Sequence, residues 1–134
     1  MGIIYADARL SNLGRPDLEE LTANMLVDTG APDMVIPEHI ALQLQLTDLK
    51  PREVTLADGS AQIVRYVGPL KVEMMGRDCV TAAAVMGNQV LLGAIPMEAM
   101  DLVVHPRSQQ VAPNPDSPNI PKFLAMSQKR EGGA

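Results

Sequence analysis

Short apolar segments closed by turn-forming pairs run through this chain, and their spacing restricts the fold to an all-β design. Asp58-Gly59, Gly76-Arg77 and Gly87-Asn88 each separate two such segments, and several short strands with frequent turn signals read as a sandwich or barrel. Ile3–Leu10 alternates and is predicted as a strand, followed by a turn over Asn12–Asp17. Leu18–Val27 is predicted as a second strand, polar early and apolar at Met25-Leu26-Val27. Met34-Val35-Ile36 is a short buried strand. Arg52–Ala57 and Ser60–Val67 form a predicted hairpin around Asp58-Gly59, a pair that tolerates positive φ at both turn positions. Leu70–Met75 and Asp78–Val85 form another around Gly76-Arg77, and Val90–Gly93 and Leu102–Val104 are late core strands. Two short helices interrupt the pattern. Pro37 suits a first helical position, Glu38 suits the helix dipole, and Ile40, Ala41 and Leu44 supply an apolar face. Pro96–Met100 is the second. The expected architecture is a small closed β-barrel with one or two short helices.

At 134 residues the chain has the length of one domain. Aromatic residues are limited to Tyr5, Tyr66 and Phe123, whereas Met occurs nine times, so the core is expected to be aliphatic and filled by thioethers. A net charge of −5 without an Arg-rich run argues against nucleic acid as a partner, since Lys129-Arg130 is the sole cluster of positive charge. Cys79 stands alone in an apolar run, which excludes an internal disulfide and suits a buried small hydrophobe. No apolar stretch reaches ~18 residues and Met1–Leu10 lacks the features of a signal peptide, so neither membrane insertion nor export is expected. A reducing, cytoplasmic home fits. From Pro106 the composition shifts, with Pro113, Pro115, Pro118 and Pro121 close behind. Residues 1–105 are read as the folded domain and 106–134 as a proline-rich tail, extended or disordered. Within it, Phe123–Met126 is an apolar island that either docks on the barrel or stays free, and Lys129–Ala134 reads as a loose end.

Leu26-Val27-Asp28-Thr29-Gly30-Ala31 places an acid, a hydroxyl and a glycine directly after an apolar strand, and does so once. Two carboxylates sharing one proton activate water for peptide hydrolysis: one acts as base while the other donates to the scissile carbonyl. Such carboxylates about 3 Å apart cannot both ionise. One copy of the motif therefore supplies half a site, and a full site requires two chains. In this chemistry Asp28 is the acid/base, Thr29 anchors the loop, and Gly30 lets backbone and substrate approach the carboxylate. Ala31 is small and offers no hydrogen bond. No Gly-x-Ser-x-Gly or His-Glu-x-x-His is present. His39 and His105 read as surface residues, and Asp33, Asp78 and Asp101 as solvated or capping ones. No metal or other cofactor is expected.

These residues resemble the retropepsin-like, or retroviral-type, aspartic proteases, in particular small bacterial members, over residues 18–104. Leu26–Ala31 is similar to their catalytic loop and Met34–Pro37 to the apolar strand after it. Val54–Ser60 is placed like the flap hairpin. Val90-Leu91-Leu92-Gly93 resembles the two-hydrophobes-then-glycine motif that packs behind the loop. The resemblance implies a closed acid-protease barrel, active as a two-fold homodimer on polypeptide substrates, with Asp28, Thr29 and Gly30 catalytic. It further implies substrate contact by Ala31, by Ala57, Asp58, Gly59 and Ser60 of the flap, and by Leu92 and Gly93. Three departures stand out: Ala94 where many retroviral members carry Arg, a charged flap tip in place of a multi-glycine one, and the proline-rich tail where the retroviral dimer strand lies. A non-catalytic dimeric peptide-binding module on the same fold is the alternative reading.

Overall fold

A computed structural model describes residues 3–123. In chain order its elements are β1 (Ile4–Asn12), β2 (Leu21–Val27), β3 (Met34–Ile36), α1 (Glu38–Gln43), β4 (Thr47–Asp48), β5 (Arg52–Thr55) and β6 (Ala61–Val64). They continue with β7 (Tyr66–Met74), β8 (Arg77–Val85), β9 (Leu91–Leu92), α2 (Ala94–Ala99), β10 (Leu102–His105) and β11 (Gln110–Pro113). The main sheet runs β1-β2-β9-β3-β8-β7, and β1 pairs back onto β7 to close a six-stranded barrel, with β4 added outside β7. The predicted all-β barrel with two short helices is thus the observed fold.

Side-chain alternation explains the closure. Along β1, Ile4, Ala6, Ala8 and Leu10 turn inward while Tyr5, Asp7 and Arg9 face outward. Leu70, Val72 and Met74 of β7 supply the facing layer. The interior is aliphatic and thioether, with Leu10, Met25, Met34, Ile36, Leu44, Leu92 and Met100 fully enclosed. Met is flexible enough to fill the space that aromatic rings would occupy in a richer core. Cys79 packs half-buried against this core, and burial pushes its thiol up to about 11, so it remains a protonated small hydrophobe.

Several predicted boundaries shift, each for a local reason. The Asp58-Gly59 turn is not a two-residue turn with both φ positive. It spans Leu56 to Gly59, closed by the Gly59 N–H to the Leu56 carbonyl at 2.9 Å, and only Gly59 has positive φ. Asp58 is spared that strain because Gly59 takes the left-handed position. The β7–β8 turn falls one residue earlier than predicted, on Met75-Gly76, both at positive φ. The predicted strand Ser60–Val67 divides at Arg65, and β7 continues through Gly68-Pro69, where the register is irregular and a residue without an N–H disturbs no ladder bond. β2 begins at Leu21 rather than Leu18. α2 begins two residues before Pro96, which lies in the first turn, where its missing N–H is not needed.

The proline-rich segment contributes a strand that composition concealed. β11 pairs antiparallel with β10, and Val111 reaches the core. Beyond it a buried polar cluster holds the chain. The Arg77 guanidinium donates to the carbonyls of Met100 at 3.2 Å, Asp101 at 2.9 Å and Ser117. The Asp101 carboxylate accepts from Asn114 Nδ2 at 3.1 Å, from the Lys122 N–H at 2.9 Å and from the Ser117 hydroxyl. A buried cation is tolerated only when its donors are used in this way. Phe123 is exposed, and Leu124–Met126 and Lys129–Ala134 lie outside the described residues.

The Ser117 hydroxyl, then the Lys122 N–H and Asn114, hold the Asp101 carboxyl below the usual carboxylate range. A depressed folded pKa gives stability that is present above the unfolded value, about 3.9, and lost as pH falls through the folded one. The stability difference between the native protein and Asp101→Asn is therefore expected to be wide at pH 6 and to shrink below about pH 4. Urea midpoints measured across that range check it.

Candidate active site

Everything at the centre of the molecule rests on how the loop after β2 is held. β9 runs parallel to β2, with Leu26 opposite Leu91 and Val27 opposite Leu92. The Asp28 N–H donates to the Leu92 carbonyl at 3.0 Å, which places Asp28 at the point where β2 leaves the sheet. The loop then turns tightly, with the Ala31 N–H donating to the Asp28 carbonyl at 3.1 Å. Its descending limb is caught by α2: the Ala94 N–H donates to the Ala31 carbonyl at 2.8 Å and the Ile95 N–H to the Pro32 carbonyl at 2.9 Å. First-turn amides of a helix have no partners within the helix, so they are free to make these bonds.

Gly93 is what allows this approach. A Cβ there would overlap the Asp33 carbonyl oxygen and lie 2.7 Å from the Ala31 carbonyl oxygen. Leu92, fully buried, plugs the barrel beneath. These two residues, expected to touch substrate, are placed behind the loop, against its backbone, and open onto neither surface depression.

Asp28, Thr29 and Gly30 are exposed together. The Gly30 N–H donates to Asp28 Oδ1 at 3.0 Å, which fixes the carboxylate through one of its two oxygens. A Cβ on Gly30 would stand 3.2 Å from that same Oδ1, so glycine suits this position. The three residues line an open depression of about 500 Å³ whose other walls are Ile3, Ile4, Leu26, Val27 and Val104. Ala31, Pro32 and Asp33 line a second groove, of about 480 Å³, on the other side of the loop.

The second groove is covered by a hairpin. Among the described residues β5 and β6 pair only with each other, Arg52 opposite Val64 and Thr55 opposite Ala61, and form a separate two-stranded sheet. Ala57, Asp58, Gly59 and Ser60 stand exposed at its tip. Asp58 Oδ1 accepts from the Ser60 hydroxyl at 2.6 Å and the Ser60 N–H at 2.9 Å, bonds that hold its carboxyl below the usual range and brace the tip. At the hairpin base Arg65 grips Glu38 at 2.7 Å and Asp48 at 3.0 Å.

Three residues at this groove were not singled out from sequence. The buried Tyr66 hydroxyl donates to Asp33 Oδ2 at 2.5 Å, and the Arg52 guanidinium lies 5.0 Å from the Tyr66 ring centroid. Burial, then the bond to Asp33, pushes the Tyr66 phenol up to about 12, so it stays a donor. A core tyrosine needs a partner for its hydroxyl, which is the one sequence signal available, but the partner is 33 positions away. Asp33, read as solvated or capping, is that partner. Among the described residues no cluster of three or more His, Cys, Asp or Glu is placed to hold a metal, and no helix is long and apolar enough to cross a membrane.

A closed barrel with a flap hairpin, an Asp-Thr-Gly loop and a glycine packed behind that loop defines an acid-protease fold. The family model described as gag-polyprotein putative aspartyl protease matches residues 17–100, and the chain belongs to this retropepsin-like aspartyl protease family. None of the curated proteins matches the chain.

Replacement of Gly93 by Ala is expected to destabilise the protein by at least about 2 kcal/mol, because backbone on both sides must shift to admit one methyl group. Denaturant titration of the variant against the native protein measures this.

Proposed function

We propose that the chain is an aspartic endopeptidase that hydrolyses peptide bonds with a water activated between two Asp28 carboxylates, one from each subunit of a homodimer. The observation that carries this reading is the Asp28 carboxylate itself, held by the Gly30 N–H at 3.0 Å and exposed in an apolar, open depression. One chain contributes one such carboxylate. A two-fold axis passing by the depression makes its apolar walls self-complementary, covers Ile3 and Val104, and brings the two Asp28 side chains together. Ile3 is 71% exposed in the single chain, which such an interface would relieve.

In the paired site the two carboxylates share one proton. The ionised member takes a proton from water, and the water attacks the scissile carbonyl. The protonated member donates to the carbonyl oxygen, and proton return to the amine nitrogen releases the products. Thr29 contributes to the grip between subunits and Gly30 to the contact with substrate backbone. Leu92 and Gly93 act through the loop, by fixing its backbone. The β5–β6 hairpin, joined to the barrel through its base at Arg65, closes over an extended substrate and excludes water. Substrate is polypeptide, and the protein works in the cytoplasm without a metal.

Incubation with an unstructured protein substrate tests the reading. The native protein is expected to cleave it and Asp28→Asn to leave it intact. A dimer that cleaves nothing, seen by sedimentation, would instead favour a peptide-binding module. Ala31 adds a pH signature. It offers no hydroxyl to stabilise the ionised pair, and activity is expected to peak at weakly acidic to neutral pH. A pH–rate maximum below about pH 3 contradicts this.

A further inference from the structure

α2 is a helix of six residues, and its two ends are gripped by different parts of the chain. Its first-turn amides hold the Asp28 loop, Ala94 on the Ala31 carbonyl at 2.8 Å and Ile95 on the Pro32 carbonyl at 2.9 Å. Just past its last residue, the carbonyls of Met100 and Asp101 accept from the buried Arg77 guanidinium, which also donates to the Ser117 carbonyl. Residues 106–123 lie beyond the part of the chain that matches the family, yet they return to this spot. Accepting the peptidase reading above, on which this rests, we propose that residues 106–123 are a strap that places the Asp28 loop through α2, with Ser117 as a positioning residue that lines neither depression beside the loop.

The strap is seated on the barrel along its length. β11 pairs with every residue of β10, and Val111, buried in the core, stands opposite Val104, a wall of the depression that exposes Asp28. Asn114 and Asp101 are then tied twice, by the Asn114 N–H to the Asp101 carbonyl at 3.0 Å and by Asn114 Nδ2 to the Asp101 carboxylate at 3.1 Å. Ser117 is 2% exposed and closes the cluster with its hydroxyl on the same carboxylate. Without the strap, Arg77 loses its Ser117 acceptor and the Asp101 carboxylate loses Asn114, Ser117 and Lys122 as donors. Polar groups stripped of partners in a buried place drive rearrangement. It would fall on Asp101, which sits at positive φ directly after α2. A helix this short has little stability of its own, so its place is set by what grips it. Six residues span only about 9 Å, so a shift at the Asp101 end reaches Ala94 and Ile95, and with them the backbone that carries Asp28.

Asn114→Ala and Ser117→Ala, made singly and together in the full chain, loosen the strap and leave both depressions untouched. Amide hydrogen exchange reads the coupling without relying on activity. In the double variant the Asp28, Ala31, Ala94 and Ile95 N–H groups are expected to exchange roughly tenfold faster, while amides of the β1–β2 ladder keep their native rates. Cleavage of a peptide substrate reads the consequence. At protein concentrations where sedimentation shows one species, kcat is expected to fall roughly tenfold with KM within about twofold, since a misplaced loop slows the chemistry more than it weakens binding. The single variants should show the same pattern at smaller size, and they serve if the double variant folds poorly. A role confined to overall stability would speed exchange in every strand alike and leave kcat of the folded protein unchanged, and that result overturns the inference. Native exchange rates at the four amides in all the variants overturn it too. No cleavage by the native protein, or cleavage that survives Asp28→Asn, overturns the peptidase reading instead, and exchange alone then shows whether the strap holds the loop.

Discussion

Three backbone hydrogen bonds hold the Asp28 loop against the segment that follows β8: Asp28 to Leu92, Ala94 to Ala31 and Ile95 to Pro32, all at 2.8–3.0 Å. They can form because Gly93 has no side chain to keep the two backbones apart. The rest of the architecture serves this contact. β2 and β9 must run parallel for Leu92 to face Asp28, and parallel neighbours require the intervening chain to cross the barrel. Most of the fold between residues 28 and 90 is that crossing. The buried thioethers and aliphatics beneath the loop give it a floor that resists collapse.

This scaffold presents the carboxylate to the outside rather than burying it. An aspartate exposed in an apolar depression is a poor stability feature, since the surrounding surface gains nothing from water. A second copy of the same depression would resolve the mismatch and supply the partner carboxylate together, so on the proposed reading assembly and chemistry share one surface. Arg77 ties the ends of α2 and of the proline-rich segment together, and that segment adds a strand beside β10.

The other face of the loop carries different information. Among the described residues the β5–β6 hairpin forms a sheet of its own, and Arg65 ties its base to Glu38 and Asp48. Arg52, Tyr66 and Asp33 join flap, barrel and loop in one polar contact within an apolar groove.

The barrel class, both helices and the Asp28 loop were legible in the sequence because each follows from local rules: alternation for strands, turn pairs for hairpins and proline at helix starts; the place of Leu92-Gly93 behind the loop came from the family resemblance alone, which also implied a substrate contact that their position does not offer. The turn at Met75-Gly76, the bulge at Gly68-Pro69 and strand β11 were not, because register depends on pairing with distant strands and the prolines of β11 masked its alternation. Asp33 and Asp101 read as solvated or capping residues because their partners, Tyr66 and the Asn114–Lys122 segment, are remote in sequence. The sequence by itself determined that Asp28-Thr29-Gly30 follows directly on an apolar strand, since composition and order there are local. Only the tertiary structure decided which polar groups are paired and which face the groove, because a carboxylate's partner is set by what the closed barrel brings within hydrogen-bonding distance.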